Sequence, residues 1–177
     1  MTPKSPIILG IDTGTRQIGV TVFQGWELVF YGIKTITDKN DDLTLARMRR
    51  IIGGLIREYD VTYVAMEKII FVQQHRSFGK RVFDEIRDFL KKLRIPYSEY
   101  NPKTVRQSIC QNEKPTKANS ARVLTEIYPE LGRYFNAPRT WQKRYYALLL
   151  DAVAVGYVCV EENQPKDAPL PSLNRES

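Results

Sequence analysis

The first part of the chain alternates short apolar runs with polar turns. Two β-rich runs, at residues 7–12 and 17–24, are joined by a polar turn that contains Gly14, and a third run follows at residues 27–36. Short runs separated by glycine-containing turns are typical of antiparallel strands. In the third run, the side chains of both alternating sets, which face opposite sides of a strand, are largely apolar. This indicates a strand covered on both faces. The pattern therefore predicts a three-stranded meander.

The pattern then switches between helical and strand periodicity. Apolar residues recur at helical spacing in long segments, and shorter β-rich runs lie between them. The spacing predicts strands at residues 62–66 and 96–100, and helices at residues 42–59, 78–93, 102–111, 117–127 and 141–160. Strands joined through helices pair in parallel. We therefore predict an α/β fold with a five-stranded mixed sheet flanked by helices: three antiparallel strands, then two added through helical crossovers.

The length of the chain suits one domain with a substantial core. We expect this domain to occupy residues 1–160. Residues 161–177 are polar and rich in proline, and we expect them to form a disordered tail.

Charge and composition narrow the classes of function. The net charge of +7 favours a polyanionic partner, most simply nucleic acid. One histidine and two cysteines argue against a structural zinc site and a disulfide framework. No apolar run is long enough to span a membrane, and the first residues lack the layout of a signal peptide. We expect a cytoplasmic protein, or one located with the DNA in an organelle or nucleoid.

Three acidic residues stand in apolar surroundings where acids are rare. Asp12 ends the first strand, Glu67 ends the fourth, and Asp151 interrupts the most apolar stretch of the chain. Each has a structural explanation by itself, as a turn former or at the solvent edge of a helix. If the first and fourth strands are neighbours, however, the three carboxylates meet, and clustered carboxylates need a cation to stay ionised. Oxygen ligands that leave coordination positions open suit magnesium or manganese. Two such bound ions can promote the hydrolysis of a phosphodiester bond by water.

The segment around Asp12, with its Asp-Thr-Gly-Thr sequence, allows other readings. An aspartic protease of the retroviral type also uses Asp-Thr-Gly, but its fold is all-β, whereas this chain is rich in predicted helices. An actin-like ATPase uses a similar phosphate loop, but it needs two such domains and about twice the length. A domain that only binds remains open.

Four segments in this order resemble the RuvC family of Holliday junction resolvases, which have the RNase H-like fold. They are ILGIDTGTRQIGVTVF, VAMEKIIF, YNPKTVRQSICQNEKPTK and LLLDAVAV. The resemblance runs from residue 7 to about residue 160. It implies that Asp12, Glu67 and Asp151 are catalytic and hold one or two magnesium ions, with manganese as the alternative. It also implies hydrolysis that leaves a 5′-phosphate and a 3′-hydroxyl.

The resemblance also assigns basic residues to the site. Two basic residues important for activity in the family fall on Arg106 and Lys117, and Lys117 is then among the catalytic residues. They would contact the phosphate backbone near the cut or stabilise the charge that develops there. Lys103 and Lys114 would extend the same patch.

The sequence departs from the family pattern at two positions. The family has an Asp or His one turn before the last catalytic Asp, and Leu148 stands there in this chain. The family also has an aromatic residue shortly after the catalytic Glu that wedges into the junction. Phe71 is the candidate, one position late, with packing in the core as the alternative. Because position 148 carries leucine and not an acid, a second metal ion would be held less well.

The resemblance implies a metal-dependent endonuclease that resolves four-way DNA junctions by paired cuts, as a homodimer. The apolar stripe of the helix at residues 78–93 is either a dimer interface or a core face. Two alternatives stay open: a RuvX (YqgF)-type nuclease that acts on RNA, and a non-catalytic junction-binding protein. Whether a branch-migration motor is a further partner is left open.

Overall fold

Five strands form one mixed sheet in the computed structural model, which describes residues 5–69 and 78–164. The strands are β1 (Ile7–Thr13), β2 (Gln17–Gln24), β3 (Glu27–Thr35), β4 (Tyr63–Glu67) and β5 (Tyr97–Tyr100), in the order β3-β2-β1-β4-β5. The β1–β2 and β2–β3 pairs are antiparallel, and the β1–β4 and β4–β5 pairs are parallel. The predicted α/β fold with a five-stranded mixed sheet is confirmed.

Helices cover both faces of the sheet. They are α1 (Asp41–Glu58), α2 (Phe78–Leu93), α3 (Pro102–Ile109), α4 (Lys117–Ile127), α5 (Gly132–Phe135) and α6 (Thr140–Asn163). A 3₁₀ turn at Pro129–Leu131 precedes α5, in a segment without helical periodicity in the sequence. The final helix runs three residues past its predicted end, so the expected tail cannot begin at Glu161. The remainder of that tail, from residue 165, lies outside the described residues.

Polar residues ahead of the helices explain where three of them begin. The Asn40 side chain accepts hydrogen bonds from the backbone amides at the start of α1. Asn101 does the same for α3, where Pro102 occupies a first-turn position that needs no amide donor. Thr116 caps α4 through the backbone N–H of Asn119 at 3.1 Å. Each cap satisfies a donor that the helix itself leaves unpaired.

The two faces of the sheet bury separate cores. Leu9 and Ile11 of β1 point toward α1 and α2, whereas Ile8 points toward α3, α4 and α6. This follows from the alternation of side chains along a strand. The apolar stripe of α2, which includes Val82 and Ile86, is buried in the first of these cores. The middle of the stripe is therefore part of the core, whereas Leu93 at its end is 43% exposed.

Helix α6 lies unusually close to β1 and β2. A Cβ atom at Gly19 would lie 2.0 Å from the backbone oxygen of Leu148, and one at Gly10 would lie 2.5 Å from the backbone oxygen of Ala152. The Thr21 hydroxyl donates to that same Ala152 oxygen at 3.2 Å. Glycine is required at these strand positions because the helix backbone occupies the space of a side chain. This contact sets the height of α6 above the sheet.

We predict that Gly19→Ala destabilises the protein by about 1–3 kcal/mol, because the new methyl group meets helix backbone that cannot rotate away. Urea denaturation measures the change. Gly54→Ala in α1 is the matched control, since a Cβ atom there meets nothing within 4 Å. It should stabilise the protein by up to about 1 kcal/mol through helix propensity. An unchanged denaturation midpoint for Gly19→Ala would contradict the close contact.

Candidate metal centre

Two of the three acidic residues come from neighbouring parallel strands. Ile11 of β1 is paired with Met66 of β4, so the next residues, Asp12 and Glu67, stand side by side at one end of the sheet. Ile11 and Met66 point into the core under α1 and α2. Since side chains alternate along a strand, Asp12 and Glu67 point to the other face, which α6 covers.

Helix α6 supplies the third carboxylate at Asp151. One carboxylate oxygen from each of Asp12, Glu67 and Asp151 lies within 4.8 Å of the other two. Within residues 5–69 and 78–164, this is the one group of three or more acidic, histidine or cysteine side chains with that spacing. The structure thus brings together the three acids that the sequence singled out, although 139 positions separate the first from the last.

Burial and mutual repulsion disfavour the ionised forms of these acids. Burial raises the pKa of Asp12 well above its usual value, and the charges of Glu67 and Asp151 raise it further. Burial, followed by repulsion from Asp151, raises the pKa of Glu67 to about 7. A divalent cation would reverse this penalty by attracting all three carboxylates.

Lys117 is the cation in contact with this cluster. It is the first residue of α4, and its Nζ donates to Asp151 Oδ2 at 2.5 Å. Burial lowers the pKa of Lys117, but the charge and hydrogen bond of Asp151 and the charges of Glu67 and Asp12 outweigh it and raise the pKa overall. Lys117 is therefore a protonated ammonium group at the edge of the carboxylate cluster.

An open cleft of about 370 Å³ lies in front of Asp12 and Glu67. Its lining includes Asp12, Glu67, Lys117 and Arg106, the last from the middle of α3. The positive charge of Arg106 partly offsets the rise in the pKa of Glu67. Acidic side chains at the base and basic side chains at the wall suit a metal ion together with a phosphate group.

Thr13 gives an independent indication that this cleft takes a polar ligand. Its Oγ1 atom is buried and has no hydrogen-bond partner among the described residues, and the residue lines the same cleft. Buried hydroxyl groups are normally satisfied. Sequence reasoning missed Thr13, although its position directly after Asp12 at the end of β1 was a usable signal.

The three carboxylates fit a hard divalent cation, because each offers an oxygen ligand and their separation allows a shared ion. Leu148, one turn before Asp151, adds no ligand atom. Its side chain packs over the β1–β2 turn, where a Cβ atom at Gly14 would lie 3.4 Å from Leu148 Cδ1. The described residues therefore supply three acidic ligands at this centre.

Two of the remaining predicted site residues lie outside the cleft. Lys103 and Lys114 are exposed and lie outside its lining. Arg122, a neighbouring basic residue of α4, is engaged by ion pairs with Glu113 and Glu126. Phe71, predicted as a wedge or a core residue, lies outside the described residues.

None of the described helices is long and apolar enough to cross a membrane.

Sequence comparison identifies relatives with one common name. The family model "Crossover junction endodeoxyribonuclease RuvC" matches residues 8–129. A protein of that name from Cytophaga hutchinsonii is 29% identical over 129 residues, covering 68% of this chain and 64% of the relative. Another from Shewanella loihica is 25% identical over 131 residues, covering 69% of this chain and 74% of the relative. The match thus spans somewhat less than two thirds of the first relative.

Solved structures share the fold at low sequence identity. RuvC of Thermus thermophilus, in complex with a Holliday junction substrate, has a TM-score of 0.66 at 18% identity, over 86% of this chain and 90% of that one. The yeast mitochondrial resolvase Ydc2 has a TM-score of 0.54 at 12% identity, over 91% and 83%. These neighbours confirm the RNase H-like fold. Since the family model matches more than half of the sequence, this chain belongs to the RuvC family of crossover junction endodeoxyribonucleases.

Proposed function

We propose that this protein is a magnesium-dependent endonuclease that cuts four-way DNA junctions. The observation that carries the proposal is the convergence of Asp12, Glu67 and Asp151 beside two basic side chains in an open cleft. Family membership, the name of the curated relatives and the net charge of +7 support a DNA substrate. The solved Thermus relative was captured with a Holliday junction.

The three carboxylates would hold one or two magnesium ions, with manganese as a substitute. When bound, such ions supply Lewis acidity at the phosphate and lower the pKa of water. Asp12 is buried at the end of β1, so its carboxylate is held in a fixed orientation by the sheet. Asp151 is held from the opposite side by α6. The acids are therefore preorganised from two directions, which limits the rearrangement needed on binding.

Lys117 and Arg106 would act on the phosphate group. Both line the carboxylate cleft, and both side chains donate hydrogen bonds as cations. Their positive charges would hold a non-bridging phosphate oxygen and stabilise the additional negative charge of the transition state. Lys117 would exchange part of its interaction with Asp151 for one with the phosphate.

Lys103 and Lys114 would contribute outside the cleft. Their exposure, on the two segments that also carry Arg106 and Lys117, suits contacts to phosphates away from the cut. Such contacts add affinity without base specificity, and they weaken as salt increases.

Cleavage of a labelled synthetic four-way junction, in magnesium and then in manganese, tests this function. We expect paired nicks in the wild-type reaction. Asp12→Asn should lower the cleavage rate by more than about 100-fold, because mutating residues that only support metal ligands already lowers metal affinity or activity by about 10- to 100-fold. Asp60→Asn is the matched control, since Asp60 is exposed and asparagine tolerates its positive φ of 54°.

Two other outcomes would replace this function. Tight junction binding without nicks in either metal would indicate a non-catalytic junction-binding protein. Cleavage of structured RNA in preference to junction DNA would indicate a nuclease of the RuvX type.

The stability of the metal-free protein should depend on the protonation of Glu67. The raised pKa of Glu67, about 7 against an ordinary 4.5, means that the folded state keeps a proton that the unfolded state releases. The free energy of unfolding should therefore fall as pH rises from about 4.5 to about 7. We expect the Tm of wild type in EDTA to fall across this range relative to the Tm of Glu67→Gln.

Glu99→Gln provides the matched control, because Glu99 is exposed on the neighbouring strand β5. Its pH profile should follow that of wild type. Magnesium should raise the Tm of wild type above pH 7 and leave that of Glu67→Gln nearly unchanged. If the Tm of wild type and that of Glu67→Gln change with pH in the same way in EDTA, then Glu67 does not have the raised pKa on which this prediction depends.

We extend the proposal to a homodimer, because a four-way junction has approximate twofold symmetry and paired cuts need two centres. Sedimentation of the complex should give two chains on each junction. The interface would use a surface other than the buried middle of the α2 stripe. One chain on each junction, together with single nicks, would exclude the dimer.

A further inference from the structure

A second cavity lies directly beside the carboxylate centre. Its volume is about 620 Å³, and it opens between the start of α4, residues 134–138 and the N-terminal half of α6. Lys117 lines this cavity and also the carboxylate cleft, and Asp151 lies on its wall. The two spaces therefore meet at the Lys117–Asp151 ion pair. A group held in the second cavity would be close to any phosphate at the centre.

The walls of this cavity are suited to a flat ring. Ala118 of α4 and Ala147 of α6 contribute small side chains to its lining. Tyr134 forms an aromatic wall. A cavity lined by small side chains and an aromatic ring offers space and a surface for a planar group.

Tyr134 is held in place before any ligand arrives. Its ring packs edge-on against Tyr146, with centroids 4.9 Å apart. The Arg133 guanidinium lies 4.6 Å from the centre of the Tyr134 ring and donates a hydrogen bond to the Tyr134 hydroxyl. Contacts on the edge and face of the ring fix its position, so little side-chain entropy is lost when a ligand stacks.

The rim of the cavity favours an anionic chain. Lys143 lines it, is exposed, and forms no ion pair among the described residues. Lys117 provides a second positive charge at the edge shared with the centre. A nucleotide combines the two features that this cavity favours, a planar ring and an attached negative charge.

We propose that this cavity binds a nucleobase of the strand being cut, and that Tyr134, Ala118 and Ala147 determine which bases are accepted there. The proposal rests on the proposed junction-cleaving function. Extruding a base costs least where pairing or stacking is already broken, as at a branch point. Base selection then occurs beside the reacting phosphate, so a poor fit at the cavity lowers cleavage more than it lowers junction binding.

The test uses the full chain and a set of four-way junctions with randomised bases around the branch point. Wild type should cut its best sequences at least about tenfold faster than its worst, the scale expected for one stacked base. Ala118→Phe fills the cavity, and Tyr134→Leu removes the stacking ring. Both should reduce the preference to under about threefold, while junction affinity measured in EDTA changes by less than about threefold. Ala46→Phe, at an exposed site on α1, is the matched control and should keep the wild-type preference.

A second readout uses a single abasic nucleotide moved through the positions around the cut. At one position it should slow wild type about tenfold and add nothing to the defect of Ala118→Phe, because the filled cavity no longer holds a base there. Circular dichroism melting identifies any variant that fails to fold, and the other variant then carries the test.

The outcomes distinguish failure of the cavity proposal from failure of the proposed function. If wild type cuts junctions but both folded variants keep its sequence preference and its abasic profile, the cavity proposal is wrong and the nuclease stands. Equal slowing on every sequence would also overturn it, since that result would indicate damage at Lys117. If wild type cuts no junction in either metal, the proposed function fails, and the cavity proposal fails with it.

Discussion

The backbone contact between α6 and strands β1 and β2 is the constraint on which the rest of the structure depends. It requires glycine at Gly10 and Gly19, and it holds the helix at a fixed height through the Thr21 hydrogen bond. That height decides whether Asp151 reaches the acids at the ends of β1 and β4. The same helix forms one wall of the second cavity. The geometry of the carboxylate centre and the proposed base selection therefore depend on one packing distance.

The acidic centre works against the stability of the fold that holds it. Three carboxylates share a small, partly buried space, and Lys117 offsets only part of their repulsion. The apolar cores on both faces of the sheet supply the stability that permits this arrangement. Strain of this kind is typical of sites whose ligand carries the opposite charge. The unpartnered Thr13 hydroxyl in the same cleft has the same character.

Much of the fold and part of the site followed from local patterns in the sequence. Short apolar runs predicted the strands and helical spacing predicted the helices. The expected meeting of Asp12 with Glu67 depended on β1 and β4 being neighbours, and they are paired in the structure. The place of Lys117 at the site came from family resemblance alone. Its contact with Asp151 was not predicted, because it depends on how two helices pack. The second cavity was not predicted, since residues 128–139 have no clear periodicity. Whether Phe71 acts as a wedge stays a prediction.

The wide separation of the three acids along the chain has a consequence for folding. Asp12 and Asp151 lie near opposite ends of the described sequence, so the centre assembles only after contacts between these distant segments have formed. Contacts between distant residues form late, because closing a long loop costs entropy before other interactions offset it. A nascent or partly folded chain therefore lacks the complete set of ligands. Under the proposed function, folding itself acts as a safeguard that prevents an incomplete molecule from breaking DNA.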